Sequence, residues 1–160
     1  MKTFYDLQDI KTDIDVSISL SSVCDNGDPF TKVCINNRVL YNDILSKKIV
    51  LTDTINIHSP VHISVTLSDK IYSSELETAV IIDSITCDDI ELIPQCLHTV
   101  VYNNDHNQPG TTNYLGYNGT WSLDITMPFY HWYHQLCGHG LLIYPGTKKS
   151  TKPHQKILTC

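Results

Sequence analysis

Alternation of apolar and polar residues at every second position constrains this chain more than any other feature. In Asp13-Ile14-Asp15-Val16-Ser17-Ile18-Ser19-Leu20 each even-numbered residue is apolar. Val61-His62-Ile63-Ser64-Val65-Thr66-Leu67 and Trp121-Ser122-Leu123-Asp124-Ile125 repeat the pattern. Successive side chains of an extended backbone point to opposite faces, so each stretch requires a strand with one buried and one wet face. Strands of this kind hide their apolar faces by stacking as sheets.

Shorter strands are predicted between turn signals. Cys24-Asp25-Asn26-Gly27-Asp28-Pro29 is turn chemistry, and Asn36-Asn37 separates the strands Thr31–Ile35 and Val39–Tyr41 as a hairpin. Lys48–Leu51 and Ala79–Ile82 follow, then Ile85–Cys87 and Ile90–Leu92 either side of Asp88-Asp89. Leu97–Tyr102 and Leu141–Tyr144 complete the set. Helical periodicity is confined to Phe129–Leu136, opened by Met127-Pro128 and stopped by Gly138. Short strands at roughly 8–12-residue spacing indicate an all-β, jelly-roll-like β-sandwich with at most one short helical turn. One domain spans 1–160, with a core over about 13–145 and a peripheral tail over 146–160.

Composition narrows the partners. A formal net charge of -6 gives a surface that repels a phosphate backbone; the lysines of the tail, Lys148, Lys149, Lys152 and Lys156, read as a solvated extension, so nucleic acid is not expected. No run of about 18 apolar residues is present, so no membrane span is expected. The opening MKTFYDLQDIKTDID has no apolar leader segment, which points to synthesis and assembly in a cytoplasm. The six cysteines sit within apolar patterns and read as free thiols; whether Cys24 and Cys34 face each other is left open.

Candidate chemistry gathers in Thr99–Pro145, which holds both tryptophans and six of the nine tyrosines. Aromatic rings stack on pyranose faces, and amides or carboxylates bind vicinal hydroxyls. Asn103, Asn104, Asp105, Tyr114, Tyr117 and Trp132 are therefore the candidate glycan-binding residues. Against this, Trp121 alternates with Leu123 and Ile125 and is expected in the core, and Asn103-Asn104-Asp105 also suits a plain turn. Calcium requires six to eight oxygen ligands. Asp105 and Asp28 are the candidate metal ligands if their loops meet. His131, His134, Cys137 and His139 form a zinc-type donor set, but their spacing matches no zinc finger or HExxH site, so zinc is disfavoured. No serine elbow, phosphate loop or paired catalytic carboxylates are found, and no enzyme is expected.

Two resemblances add to this reading. Asn26-Gly27-Asp28-Pro29, Thr31–Asn37, His62–Leu67 and Ile81-Ile82-Asp83-Ser84-Ile85 are similar in order to the calcium-dependent xylan-binding carbohydrate-binding modules. That resemblance covers about Asp13–Pro94 and implies a jelly-roll sandwich. This chain has Asn37 where the pattern has glycine and Asp88-Asp89 where it has Asp-Gly. The segments Tyr102–Asp105, Asn113–Trp121 and Pro128–His134 resemble virion proteins of large tailed phages. That implies a decoration, fibre or tail component in a virion assembled in the host cytoplasm. Its partners would be other virion proteins or copies of itself, with a cell-surface glycan as a further ligand. The leading expectation is thus a non-catalytic structural or adhesion protein of a phage particle. The alternatives are a free calcium-dependent carbohydrate-binding module and, third, a metal-dependent enzyme built on His131–His139.

Overall fold

A computed structural model describes residues 13–56, 58–126 and 128–138. The expected strand Leu141–Tyr144, His139 and the tail lie outside the described residues. Two antiparallel sheets pack face to face as a jelly-roll-like sandwich. The first sheet contains β1 (Asp13–Cys24), β4 (Ile49–Asn56), β6 (Thr78–Cys87), β7 (Ile90–Glu91) and β9 (Tyr114–Leu115), in the order β4-β1-β6-β7 with β9 also paired to β6. The second runs β3-β2-β5-β10-β8, from β2 (Phe30–Ile35), β3 (Arg38–Ile44), β5 (Val61–Ser68), β8 (Val101–Asn104) and β10 (Gly119–Ile125).

The period-2 pattern becomes the core directly. Ile14, Val16, Ile18 and Leu20 of β1 face Ile63, Val65 and Leu67 of β5 and Trp121, Leu123 and Ile125 of β10 within one buried cluster. Trp121 is fully buried, as its alternation requires, and its indole Nε1 donates to the Thr112 carbonyl at 2.8 Å. Pairing of β1 with β6 shifts register between Ser19 and Leu20, leaving Asp83 as the unpaired extra residue of a bulge. The Ser21 hydroxyl donates to the Asp83 carboxylate at 3.0 Å.

The hairpin turns sit where expected. Asn36 (φ 53°) turns β2 into β3, and Asp88 (φ 52°) with Asp89 (φ 64°) turns β6 into β7. Ala79–Ile82 and Ile85–Cys87, read separately from sequence, are one strand continuing through the bulge at Asp83. Leu97–Tyr102 departs further from expectation. Gln95–Thr99 is a short 3₁₀ helix, so a second helical segment exists beyond the one expected, and only from Val101 does the chain pair as a strand. Its reason is local: Cys96 N donates to the Leu92 carbonyl and Leu97 N to the Pro94 carbonyl, bonds that a ladder would otherwise take.

Among the described residues one α-helix, α1 (Phe129–Leu136), closes the lower end of the sandwich with Phe129, Trp132, Tyr133 and His134 buried. Tyr130 of α1 hydrogen-bonds the Asp88 carboxylate in the β6–β7 turn. No helix among the described residues is long and apolar enough to cross a membrane. Cys24, Cys34, Cys87 and Cys96 are free thiols, so Cys24 and Cys34 are not bridged to each other; Cys137, expected as a thiol, is instead disulfide-bonded.

Candidate functional site

Strand direction sets the location. β1, β3, β5 and β8 end at the upper end of the sandwich, where β2, β4, β6 and β10 begin, so the loops 69–77 and 105–118 emerge side by side. Asp69 (φ 60°) turns the chain out of β5. The Asn118 side chain then clamps the Lys70 backbone from both sides: Lys70 N donates to Asn118 Oδ1 at 2.9 Å, and Asn118 Nδ2 donates to the Lys70 carbonyl at 3.0 Å.

Asn104 does the same for its own loop. Its Oδ1 accepts from His106 N at 3.0 Å and Gln108 N at 2.9 Å, and its Nδ2 donates to the carbonyls of Tyr102 and Gln108. An amide satisfied on both sides holds a turn rigid. Asn104 therefore shapes the loop, and its side-chain groups are already engaged.

Between these loops lies an aromatic cluster. His106 stacks on Tyr117 with ring centroids 4.3 Å apart, and Tyr72 meets the His106 ring edge-on at 4.6 Å. The Tyr72 hydroxyl contacts both oxygens of Asp105, at 2.6 and 2.7 Å, and accepts from Asn118 N at 2.8 Å. Asp105 also accepts from His106 Nδ1 at 2.8 Å. The Tyr72 bond, followed by that of His106, holds the Asp105 carboxyl below its ordinary pKa, whereas burial, then the Asp105 carboxylate, pushes the Tyr72 phenol up. Beneath, the Tyr102 hydroxyl accepts from Tyr117 N and donates to the Tyr117 carbonyl; burial raises its pKa to about 12.

Behind the cluster is a cleft of about 220 Å³ lined by Lys70, Tyr72, Ser73, Glu77, Gln108, Tyr114, Gly116 and Tyr117. The Lys70 side chain is only 5% exposed. Its ammonium bonds Glu77 and the Gly116 carbonyl and lies 5.3 Å from the Tyr72 ring centroid and 5.9 Å from that of Tyr117. A buried ammonium persists only when paired in this way. Gln108 contributes the opposite condition: its Oε1 is buried and has no hydrogen-bond partner. Burial, then the neighbouring Glu77 carboxylate, raises the Tyr114 phenol pKa.

A larger depression of about 460 Å³ lies on the outer face of the first sheet, lined by Asp15, Ser17, Thr52, Thr54, Thr86 and Asp89 among others. No aromatic ring reaches it. The smaller cleft has both rings and fixed polar groups, and is the candidate site.

The residues named from sequence divide accordingly. Tyr114 and Tyr117 line the cleft, and Asp105 stands at its rim under Tyr72. Asn103 lies on β8 opposite Thr120, exposed on the outer sheet face. Trp132 is buried in α1 beside Phe129, at the other end of the molecule, with no ring face open to a sugar. Asp28 is exposed in the β1–β2 loop.

Among the described residues no three His, Cys, Asp or Glu side chains form a group able to hold a metal ion. Of the two aspartates read as metal ligands, Asp28 is exposed and Asp105 bonds Tyr72 and His106. Of the zinc-type set, His131 lies near His134, Cys137 is disulfide-bonded, and His139 lies outside the described residues. Burial, then the neighbouring His134 charge, lowers the His131 pKa.

Sequence reading missed Lys70, Tyr72, Glu77 and Gln108. The available signal was Tyr72 itself, an aromatic in the mostly polar stretch Ser68–Glu77.

No protein-family model matches the sequence, and no curated protein matches it. Among solved structures, the chain is similar to vCBM60 in complex with galactobiose, with a TM-score of 0.48, 15% identity, and coverage of 69% of this chain and 99% of that one. It is similar also to a selenomethionine form of vCBM60, described with a circular permutation linking two families of calcium-dependent carbohydrate binding modules. There the TM-score is 0.44 and the identity 12%, over 68% of this chain and 88% of that chain.

Proposed function

We propose that this chain is a non-catalytic carbohydrate-binding β-sandwich that holds a sugar in the cleft between loops 69–77 and 105–118. One observation carries the reading: three tyrosine rings, Tyr72, Tyr114 and Tyr117, border a small cleft whose charged pair, Lys70 and Glu77, is fixed by its own bonds. Rings give the apolar faces that pyranoses stack on, and fixed polar groups orient hydroxyls at low entropic cost. The volume is below the roughly 300–1,000 Å³ of clefts that take drug-sized ligands. It suits one ring of a saccharide rather than a long chain segment.

Calcium has no assigned place in this reading, because Asp105 is engaged by protein donors. The rings and fixed polar groups of the cleft favour the free-module alternative over the particle role expected from the second resemblance.

The test is retention of the purified protein on immobilised plant and microbial polysaccharides, with Tyr117→Ala as control. At least one polysaccharide is expected to retain the protein. The substitution should weaken its binding about tenfold or more, since loss of a stacking ring removes about 1–3 kcal/mol. Failure to bind any saccharide across a broad panel sinks the reading.

A further inference from the structure

The chain has two Asn-Gly steps, Asn26-Gly27 and Asn118-Gly119. We infer that Asn26 is a site of spontaneous deamidation, that Asn118 is protected by the fold, and that the change at Asn26 loosens the loop 69–77.

Nothing in sequence separates the two steps. In each, a glycine without Cβ lets its amide nitrogen reach the preceding side-chain carbonyl. The glycine nitrogen attacks the asparagine Cγ, the Cγ–Nδ2 bond breaks, and ammonia leaves with the proton of the glycine amide. Water then opens the cyclic imide at either carbonyl, giving aspartate or isoaspartate. Water is the one co-reactant.

The surroundings divide them. Asn26 lies in the exposed β1–β2 loop, and Gly27 (φ 87°) has open space where a side chain would stand. The Asn26 amide donates to the Ile71 carbonyl at 3.2 Å, an exposed bond that opens at little cost in exchange for water. Asn118 is held through side chain and backbone together. Its Oδ1 accepts from Lys70 N at 2.9 Å and its Nδ2 donates to the Lys70 carbonyl at 3.0 Å. Its backbone N–H donates to the Tyr72 hydroxyl at 2.8 Å, and its carbonyl accepts from Asp105 N at 3.1 Å. Gly119 begins β10, opposite Leu67 on β5 and Asn104 on β8. The Asn118 Cγ therefore meets the Gly119 nitrogen only after the clamp and the ladder have both opened.

The product at Asn26 changes the loop it touches. A carboxylate accepts only, so the bond to the Ile71 carbonyl is replaced by two acceptors facing each other. A negative charge is also added between exposed Asp25 and Asp28. Ile71 stands between Lys70 and Tyr72, so the disturbance enters the loop that lines the cleft.

Peptide mapping by mass spectrometry tests this on the full chain held in mildly alkaline buffer, with and without urea. In the folded protein, conversion at Asn26 is expected to run about tenfold or more faster than at Asn118, whereas in urea the two sites should convert at similar rates. Equal rates in the folded protein, or an Asn26 that stays intact there while converting in urea, overturns the inference. Asn26→Gln keeps the amide but enlarges the ring that attack must close, and should abolish the conversion; a product persisting at that position overturns the cyclisation. Asn26→Asp carries the new charge without waiting for the reaction. Amide hydrogen exchange over Ile71–Leu76 is expected to rise about three- to tenfold in that variant, the worth of one hydrogen bond. Unchanged exchange overturns the link to the loop.

Discussion

Single side chains at the upper loops act mainly by holding one another. Asp105 is the clearest case, because its carboxylate is the common acceptor for Tyr72 and His106. Its pKa is depressed in the folded protein, so the group favours folding while ionised. That contribution is present above its unfolded pKa and is lost as pH falls through the lower folded value. Tyr72 is the largest cause of the depression. Tyr72→Phe is therefore expected to move the Asp105 midpoint upward, toward that of an ordinary carboxyl. An NMR titration of the Asp105 side-chain carbonyl in both proteins measures this, and an unmoved midpoint would deny Tyr72 the role. Residues of this kind were only half legible. The chain advertises Asp105, Tyr114 and Tyr117 as polar and aromatic loop residues. Nothing in sequence pairs Asp105 with Tyr72, which lies 33 residues away.

At the scale of elements, the strands were legible because each carries its burial pattern in its own residues. The alternation in β1, β5 and β10 assigned inward and outward faces without knowledge of any neighbour. Elements whose conformation depends on contacts were not legible. Leu97–Tyr102 is rich in β-branched residues and reads as a strand, yet over Gln95–Thr99 the backbone bonds close locally into a 3₁₀ turn and bury Cys96. Close approach between strands gives an element-level prediction. A Cβ added at Gly119, at the start of β10, would lie 2.6 Å from the Asn104 Cα and collide with the Asn103 carbonyl on β8. Backbone has little room to yield in a paired ladder, so Gly119→Ala is expected to cost about 2–4 kcal/mol in chemical denaturation. It should also loosen the 105–108 loop that β8 supports. A loss under about 0.5 kcal/mol would show that the two strands part easily.

Across the whole molecule, the two sheets are joined at one open edge by charge as well as by the shared core. Arg38 of β3 reaches Asp53 of β4 at 2.9 Å and also donates to the Thr54 carbonyl at 2.9 Å, linking the edge strands of opposite sheets. The Asp53 side chain is 16% exposed, so removing the arginine leaves a half-shielded carboxylate without its cation. Arg38→Ala is expected to lower unfolding stability by about 1–2 kcal/mol in urea denaturation. The difference should shrink at high salt, because Arg38 itself is largely exposed. Equal stability of the two proteins would mean the apolar core alone holds that edge.

The sequence by itself determined most of the strands and their buried faces, the hairpin turns and the short helix at Phe129–Leu136, because periodicity and turn chemistry are properties of neighbouring residues. Tertiary structure alone decided the site. Lys70, Tyr72 and Glu77 come from one loop, and Gln108, Tyr114 and Tyr117 from another. They meet because strands of both sheets end at the same edge of the sandwich. The same folding placed Trp132 at the far end and committed Asp105 to Tyr72 and His106. A cleft depends on distances between residues far apart in the chain, and a one-dimensional pattern holds no record of those distances.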